Sequence, residues 1–281
     1  MIQPVLKDDA FLADVDAARR KTEAFHLWWL GQSGFLVQWG DRHLLLDPYL
    51  SDSLTEKYAA TDKPHTRMTE QVVAPERLNF IDIVTSSHNH TDHLDAETLL
   101  PLRSVNWRMH IVIPEANRQF VAERLGMEPA QLLGVDDGTE VQRRGFTVTG
   151  VAAAHEEIER DAAGRCKFLG YVIRFGPWTI YHSGDTVRYD GLVERLHQWD
   201  IDVALLPING RSPERRVSGN LWGREAAQLA KDIEARLVIP CHYEMFTFNT
   251  AAPDEFIAEC EHLGQPYRVL KCGERASFRK N

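Results

Sequence analysis

No stretch of the 281 residues approaches the ~20 consecutive apolar residues that span a bilayer, so no membrane association is expected. Met1 to Arg20 interleaves acids with apolar residues and lacks the unbroken apolar centre of a signal peptide. Cysteine is scarce. Cys166, Cys241, Cys260 and Cys272 form no C-x-x-C pair, which removes the zinc-ribbon and disulfide-scaffold readings; without an export signal they read as reduced thiols in a cytoplasmic protein. Basic residues are outnumbered, 32 Lys and Arg against 41 Asp and Glu, for a net charge of -9. That balance argues against a nucleic-acid partner, because a phosphate backbone demands a broad basic surface. It leaves room for a small anionic substrate, which needs only a few local cations. No Pro- or Ser-rich linker divides the chain, and 43% hydrophobic content suffices for a large core, so residues 1–281 read as a single domain.

Periodicity and turn signals place the elements. Residues 8–24, rich in Ala, Asp and Arg, predict an N-terminal helix. Phe25 to Leu30 and Gly34 to Trp39 read as strands, Gly40-Asp41 as a turn, and Leu44-Leu45-Leu46 as the start of a returning strand. Asp47 to Leu78 is polar and without period, a long loop with short helical pieces. From Ile81 the pattern alternates. Strands are expected at Ile81 to Thr85, His110 to Ile113, Phe146 to Val151, Leu169 to Phe175, Thr179 to His182, Ile201 to Leu206 and Leu237 to Ile239. Helices are expected from Asp95, over Glu115 to Leu125, over Leu221 to Ala235 and over Asp254 to Leu263. Hairpins followed by strand–helix alternation imply an α/β protein with sheets covered by helices.

There is an internal echo. Trp39-Gly40-Asp41…Leu46-Asp47 is matched by Phe175-Gly176-Pro177…Gly184-Asp185, a hairpin whose second strand leads to an acid. Each is followed by an Ile-Asp-apolar strand, Ile81-Asp82-Ile83-Val84 and Ile201-Asp202-Val203-Ala204. Such patterns recur in any α/β protein; alternatively they mark a duplicated half with a site at the seam.

The chemistry concentrates in Ser87-His88-Asn89-His90-Thr91-Asp92-His93-Leu94-Asp95. This segment follows a strand and precedes a helix, where α/β sheets bind ligands. Neutral imidazole is the commonest metal ligand. If the segment is extended, side-chain alternation turns His88 and His90 to one side. Asp92 and His93 then lie on the turn into the helix, able to reach a second ion.

These residues form an H-x-H-x-D-H motif, and with it the chain resembles the metallo-β-lactamase superfamily. The resemblance implies a four-layer αββα sandwich of two mixed sheets flanked by helices, and three further ligands, each just after a strand. His155, Asp185 in Ser183-Gly184-Asp185, and His242 in Ile239-Pro240-Cys241-His242 occur in that order. By the family pattern His88, His90 and His155 would hold one metal, Asp92, His93 and His242 a second, with Asp185 between them. Two divalent ions ~3.5–4 Å apart polarise a shared water and stabilise charge on the attacked and leaving oxygens, bringing the pKa of water to ~7. The implied activity is hydrolysis of a small ester, lactone or phosphodiester by the hydroxide so formed. Asp92 would orient it and pass a proton to the leaving group. Zinc or manganese suits the nitrogen-rich donor set, and iron is compatible with it.

Within the superfamily the chain is similar to the ascorbate 6-phosphate lactonase-like group. The shared phrases are Trp28-Trp29-Leu30-Gly31 with Gly34, Tyr181-His182-Ser183-Gly184-Asp185, Ile201-Asp202-Val203-Ala204-Leu205, and Val238-Ile239-Pro240 before His242. That likeness implies a sugar-phosphate lactone as one substrate type and a homo-oligomer. Asn209, Arg211 and Tyr243 are candidate substrate contacts, and Arg211, Arg215, Arg216 and Arg224 form a run of which one could hold a phosphate or carboxylate. His182 and Tyr243 adjoin candidate ligands, and packing explains both. Two other function classes stay open: a diiron redox enzyme on the same fold, and a non-catalytic, metal-retaining ligand sensor.

Overall fold

The computed structural model describes residues 1–21 and 23–280. The first sheet contains β1 (Ala24–Gly31), β2 (Gly34–Trp39), β3 (Arg42–Leu46), β4 (Ile83–Thr85), β5 (His110–Pro114) and β6 (Leu133–Val135). The second contains β7 (Glu140–Arg143), β8 (Phe146–Ala152), β9 (Leu169–Phe175), β10 (Trp178–His182), β11 (Val203–Pro207) and β12 (Val238–Cys241). The last strand, β13 (Arg275–Arg279), returns to the first sheet. The strand orders are β13-β1-β2-β3-β4-β5-β6 and β12-β11-β10-β9-β8-β7. Both sheets are mixed, with antiparallel hairpins leading into parallel strands.

The helices are α1 (Asp8–Ala18), α2 (Ser53–Tyr58), α3 (Ala96–Val105), α4 (Arg118–Leu125), α5 (Leu192–Leu196), α6 (Gly223–Asp232) and α7 (Asp254–Leu263). Asp95 caps α3 by accepting from the Glu97 N–H, and α4 stops at Gly126, whose φ of 59° permits the left-handed turn. The α/β architecture of two mixed sheets flanked by helices is as expected. The N-terminal helix is not. It ends at Ala18, the chain is extended again by Ala24, and Thr22 lies outside the described residues. Ala24 belongs with the apolar run that feeds β1, so burial in the sheet overrides its helix propensity.

Every residue of β1 is buried, as is usual for a strand covered on both faces. The sheets meet through aromatic side chains: Phe25 of β1 lies edge-on to Phe175 and Trp178 of the second sheet, at centroid distances of 5.3 and 4.9 Å. One hydrophobic cluster runs through both sheets. Aromatic pairs of this kind contribute about 0.5–1.5 kcal/mol beyond area burial.

The internal echo is structural. In each half an antiparallel hairpin (β2-β3, β9-β10) is followed by two parallel strands added at the same edge (β4-β5, β11-β12). The Ile-Asp phrases make the same clamp in both. The Asp82 carboxylate accepts from the His43 N–H at 3.0 Å while the Asp82 N–H donates to the His43 carbonyl. The Asp202 carboxylate accepts from the Thr179 N–H at 2.8 Å while the Asp202 N–H donates to the Thr179 carbonyl. Each acid thereby sets the register of a parallel strand. At the seam, the Leu169 N–H donates to the Ser87 carbonyl at 3.0 Å and the Tyr171 hydroxyl to the Ser86 carbonyl at 2.7 Å, joining the halves. Among the described residues no helix is long and apolar enough to cross a membrane.

Candidate metal centre

All seven histidine and aspartate side chains singled out above converge at the carboxyl ends of strands along this seam. His88 to His93 follow β4, His155 follows β8, Asp185 follows β10 and His242 follows β12. Among the described residues the ligand atoms fall into two groups, His88, His90, His155 and Asp185, and Asp92, His93 and His242. Within each group they lie within 4.8 Å of one another. Asp185 faces both groups. Its Oδ2 is 3.6 Å from His155 Nε2 and 3.2 Å from His242 Nε2, and its Oδ1 is 3.3 Å from His93 Nε2.

The histidine loop is not extended. Residues 87–94 form bends and turns, with the His93 and Leu94 N–H groups both donating to the His90 carbonyl. His88 is buried and His90 exposed, so they do not share a face by strand alternation. The coil of the loop brings their rings together, at 4.6 Å between centroids. Arg124 of α4 holds that coil, donating to the carbonyls of Asn89 and Leu94 at 2.8 and 3.1 Å.

Three imidazoles are oriented in one way. His88 Nδ1 lies 3.0 Å from Ser87 Oγ, His93 Nδ1 2.8 Å from Asp47 Oδ2, and His155 Nδ1 2.8 Å from the Gly219 carbonyl. The Asp47 carboxylate and the Gly219 carbonyl only accept, and the Ser87 hydroxyl gives its proton to Asp47, so the network assigns each ring an Nδ1 proton and leaves Nε2 for the cluster. Such outer hydrogen bonds fix the tautomer and ring plane of metal-binding histidines. Buried His88 Nε2 has no hydrogen-bond partner among the described residues, and buried His93 Nε2 and Asp185 Oδ1 have at most their 3.3 Å contact with each other. Leaving such groups bare costs about 1–3 kcal/mol each. A divalent cation satisfies them, so the donor set fits a metal.

Charge leads to the same fit. Burial opposes ionisation of Asp185 and Asp92, but the imidazoles of His242 and His93 hold both carboxyls well below the usual carboxylate range. Burial likewise opposes charge on His242, yet Asp185 and Asp92 raise it to about 9; the same carboxylates raise His93 well above an ordinary histidine. The two carboxylates thus favour positive charge at the place where His93 and His242 face them, the charge a cation would supply.

Two supporting residues carry no motif. Asp47, buried after β3, accepts from Thr85 Oγ1 at 3.0 Å, the Ser87 N–H at 3.1 Å, the Ser87 hydroxyl and His93 Nδ1. Its place at the end of the echoed hairpin, opposite Asp185, was the available signal. Gln32, in the turn between β1 and β2, donates from Nε2 to Asp92 Oδ2 at 2.7 Å, and its carbonyl accepts the His242 N–H at 2.9 Å. Gln32, Asp47 and His242 take positive φ of 49°, 37° and 63°. Left-handed backbone at non-glycine residues costs about 1–3 kcal/mol each and persists where the surroundings demand it.

A cavity of about 410 Å³ opens over His90, Asp92, His155, Asp185 and His242. The candidate substrate contacts are not in its lining. The Tyr243 ring packs 4.6 Å from that of Trp29, and its hydroxyl donates to the Leu270 carbonyl. Asn209 is buried, donating to Asn249 and accepting from Asn220. Arg211 is taken up by a two-pronged pair with Glu225, both bonds 2.7 Å. His182 also packs, with Nε2 3.0 Å from the Ser33 carbonyl. Of the arginine run, Arg216 reaches the cavity, with Lys57 and Arg124 as further cations. Lys57 and the aromatic residues beside it sit in the aperiodic 47–78 segment, where no sequence signal marked them.

The family model described as beta-lactamase superfamily domain matches residues 42–243. A UPF0173 metal-dependent hydrolase of Methanosarcina mazei is 28% identical over 232 residues, covering 81% of this chain and 87% of its own. The metallo hydrolase Igni18 of Ignicoccus hospitalis superposes with a TM-score of 0.67 at 22% identity, over 92% of this chain and all of that one (100%). The diiron β-hydroxylase CmlA of Streptomyces venezuelae gives 0.64 at 16% identity, over 92% of this chain and 54% of its own. With the family model running from β3 through the histidine loop, His155 and Asp185 to His242, the chain belongs to the beta-lactamase superfamily domain family.

Proposed function

We propose that this chain is a metal-dependent hydrolase acting on a small anionic ester, lactone or phosphodiester. The observation that carries the reading is the set of Nδ1-anchored imidazoles whose Nε2 atoms converge on Asp185. Similarity to the Methanosarcina metal-dependent hydrolase supports it. His88, His90 and His155 would hold one cation and Asp92, His93 and His242 another, with Asp185 shared. Bound zinc or manganese supplies Lewis acidity, which lowers the pKa of water and offsets negative charge developing on the substrate.

The protein's own residues do the rest. Asp92 is half-buried on the cavity floor, and the Gln32 amide holds one of its oxygens. In this reading it takes the proton that the attacking water loses and returns it to the leaving oxygen, a role its contact with Gln32 and its place in the cavity lining support. Arg124, Lys57 and Arg216 favour an anionic substrate. The phrases Trp28 to Gly31 and Tyr181 to Asp185 support a place near the ascorbate 6-phosphate lactonase-like group, and with it a sugar-phosphate lactone as one substrate type. The single-domain reading of residues 1–281 belongs to the same proposal, supported by the hydrophobic cluster common to both sheets.

The fold by itself does not choose between hydrolysis and redox chemistry, since CmlA shares it. The deciding experiment loads the purified chain with zinc or manganese and assays lactones and phosphodiesters. Turnover should fall about a hundredfold or more in His90→Ala. His90 is exposed, so the variant should keep its fold. Undiminished turnover in the variant removes the proposal, and iron with visible absorption in the isolated protein transfers it to the diiron class.

A further inference from the structure

The cavity is lined by two unlike sets of side chains. One is the donor cluster. The other is an aromatic wall of Tyr58, His65, Phe246 and Phe248, none of them close in sequence to the histidine loop. Tyr58 and His65 stack at 4.1 Å with an interplanar angle of 19°, while Phe246 and Phe248 stand edge-on to His65 at 5.3 and 4.4 Å. Tyr58, Phe246 and Phe248 belong to a small hydrophobic cluster separate from the main core, built on Tyr49, Leu54, Met245 and Phe246. Tyr58 and Phe248 are only half-buried. Their uncovered surface borders the cavity, where contact with water is unfavourable and contact with a ring is favourable.

The wall is held in place from behind. His65 Nδ1 is hydrogen-bonded to the Lys63 carbonyl at 3.1 Å, and Thr55 Oγ1 donates to the His65 carbonyl at 2.8 Å. Burial lowers the pKa of His65, which keeps the ring neutral and suited to stacking. Cations stand at the rim. Lys57 Nζ lies 5.1 Å from the Tyr58 ring centre, and Lys63, 5.7 Å from that of Phe248, donates to the Arg216 carbonyl. The Arg216 guanidinium pairs with Asp62 at 2.8 Å, with side chains 61% and 76% exposed. An ion pair that open contributes about 0–1 kcal/mol, so a ligand's acid can displace it.

We propose that this wall is a subsite for a flat aromatic group, and that Arg216 and Lys57 at its rim bind a carboxylate or phosphate on the same molecule. The substrate class is thus an aryl-bearing anion. Calling it a substrate rests on the hydrolase reading; the binding does not. A cavity of about 410 Å³ is of the size that takes a small organic ligand.

The test uses the full chain after chelator treatment, so that binding is read without metal or turnover. Calorimetric titrations compare 2-naphthoate with decahydro-2-naphthoate, which has the same charge and skeleton but no flat ring. Naphthoate should bind about fivefold tighter. Phe248→Leu and Tyr58→Leu keep apolar bulk, and each should weaken naphthoate about threefold to tenfold without moving the saturated acid. Arg216→Gln should weaken naphthoate and spare neutral 2-naphthamide. Replacing naphthoate by 2-naphthyl phosphate separates a phosphate-selective rim from a carboxylate-selective one, and tighter binding of either than of the amide supports the rim. Because these titrations use chelator-treated protein and read binding alone, failure of the hydrolase reading leaves their result standing. Equal affinity for flat and saturated acids, no saturable binding, or a normally folded Phe248→Leu with unchanged affinity overturns the subsite.

Discussion

Removing the Asp47 carboxylate would leave the Thr85 hydroxyl, the Ser87 N–H and hydroxyl, and His93 Nδ1 facing nothing in a fully buried place. Asp47→Ala should therefore lower stability by about 2–4 kcal/mol, because buried donors lose their acceptor together. It should also weaken metal binding about tenfold to a hundredfold, since His93 would no longer be fixed in orientation. Urea unfolding and zinc competition titrations read the two effects separately. A variant indistinguishable from wild type in both would mean that Asp47 does not orient His93. In the sequence Asp47 is visible only as an acid at the end of a hairpin strand. Its partners are 38 to 46 positions away, and no local pattern records a contact of that span. The histidines, in contrast, were legible because several ligands fall within a single short loop.

At the scale of elements, Gly184 connects β10 to Asp185 and lies where the two halves touch. Its φ is +59°, and an added Cβ would come 2.7 Å from Ser87 Cβ and 2.9 Å from the Leu169 carbonyl oxygen. Gly184→Ala should cost about 1–3 kcal/mol through backbone strain and overpacking. It should also impair metal binding, because the displaced groups border both Asp185 and the histidine loop. Thermal unfolding and metal titration check this; wild-type values for both would show that the seam tolerates displacement. The strands around the site were legible because apolar runs there end in Gly, Pro or Asp turn signals, as at Trp39-Gly40-Asp41. Helix α2 and the aromatic wall were not. Residues 47–78 have no hydrophobic period, because their apolar side chains divide between the main core (Leu50, Val72, Val73, Leu78) and a separate small cluster (Tyr49, Leu54). That the substrate candidates near Arg211 lie outside the cavity lining has a related reason. Charge alone does not say where each arginine's pair lies: Arg211 is taken up by Glu225 outside the cavity lining, while Arg216, in an open pair with Asp62, borders the cavity.

For the whole molecule, acid stability follows from a histidine far from the cavity. His43 is buried in β3, both ring nitrogens lack hydrogen-bond partners among the described residues, and burial, aided by Arg19, lowers its pKa to about 3. The folded state refuses a proton that the unfolded chain accepts below about 6.5. Its contribution is therefore complete above that pH and is lost as pH falls toward 3, about 2–4 kcal/mol over the window. His43→Leu should hold its stability better than wild type between pH 6.5 and 4 in urea unfolding, and parallel curves for the two proteins would remove the assignment. The amino-acid order by itself determined the α/β class, the paired Ile-Asp phrases and the seven candidate donors, because periodicity, turn chemistry and side-chain type are local properties. Tertiary structure alone decided that Asp47 and Gln32 support those donors, that Arg216 rather than Arg211 meets the cavity, and that an aromatic wall faces the centre. Those relations exist only once two sheets close on each other and bring side chains from distant positions within bonding range.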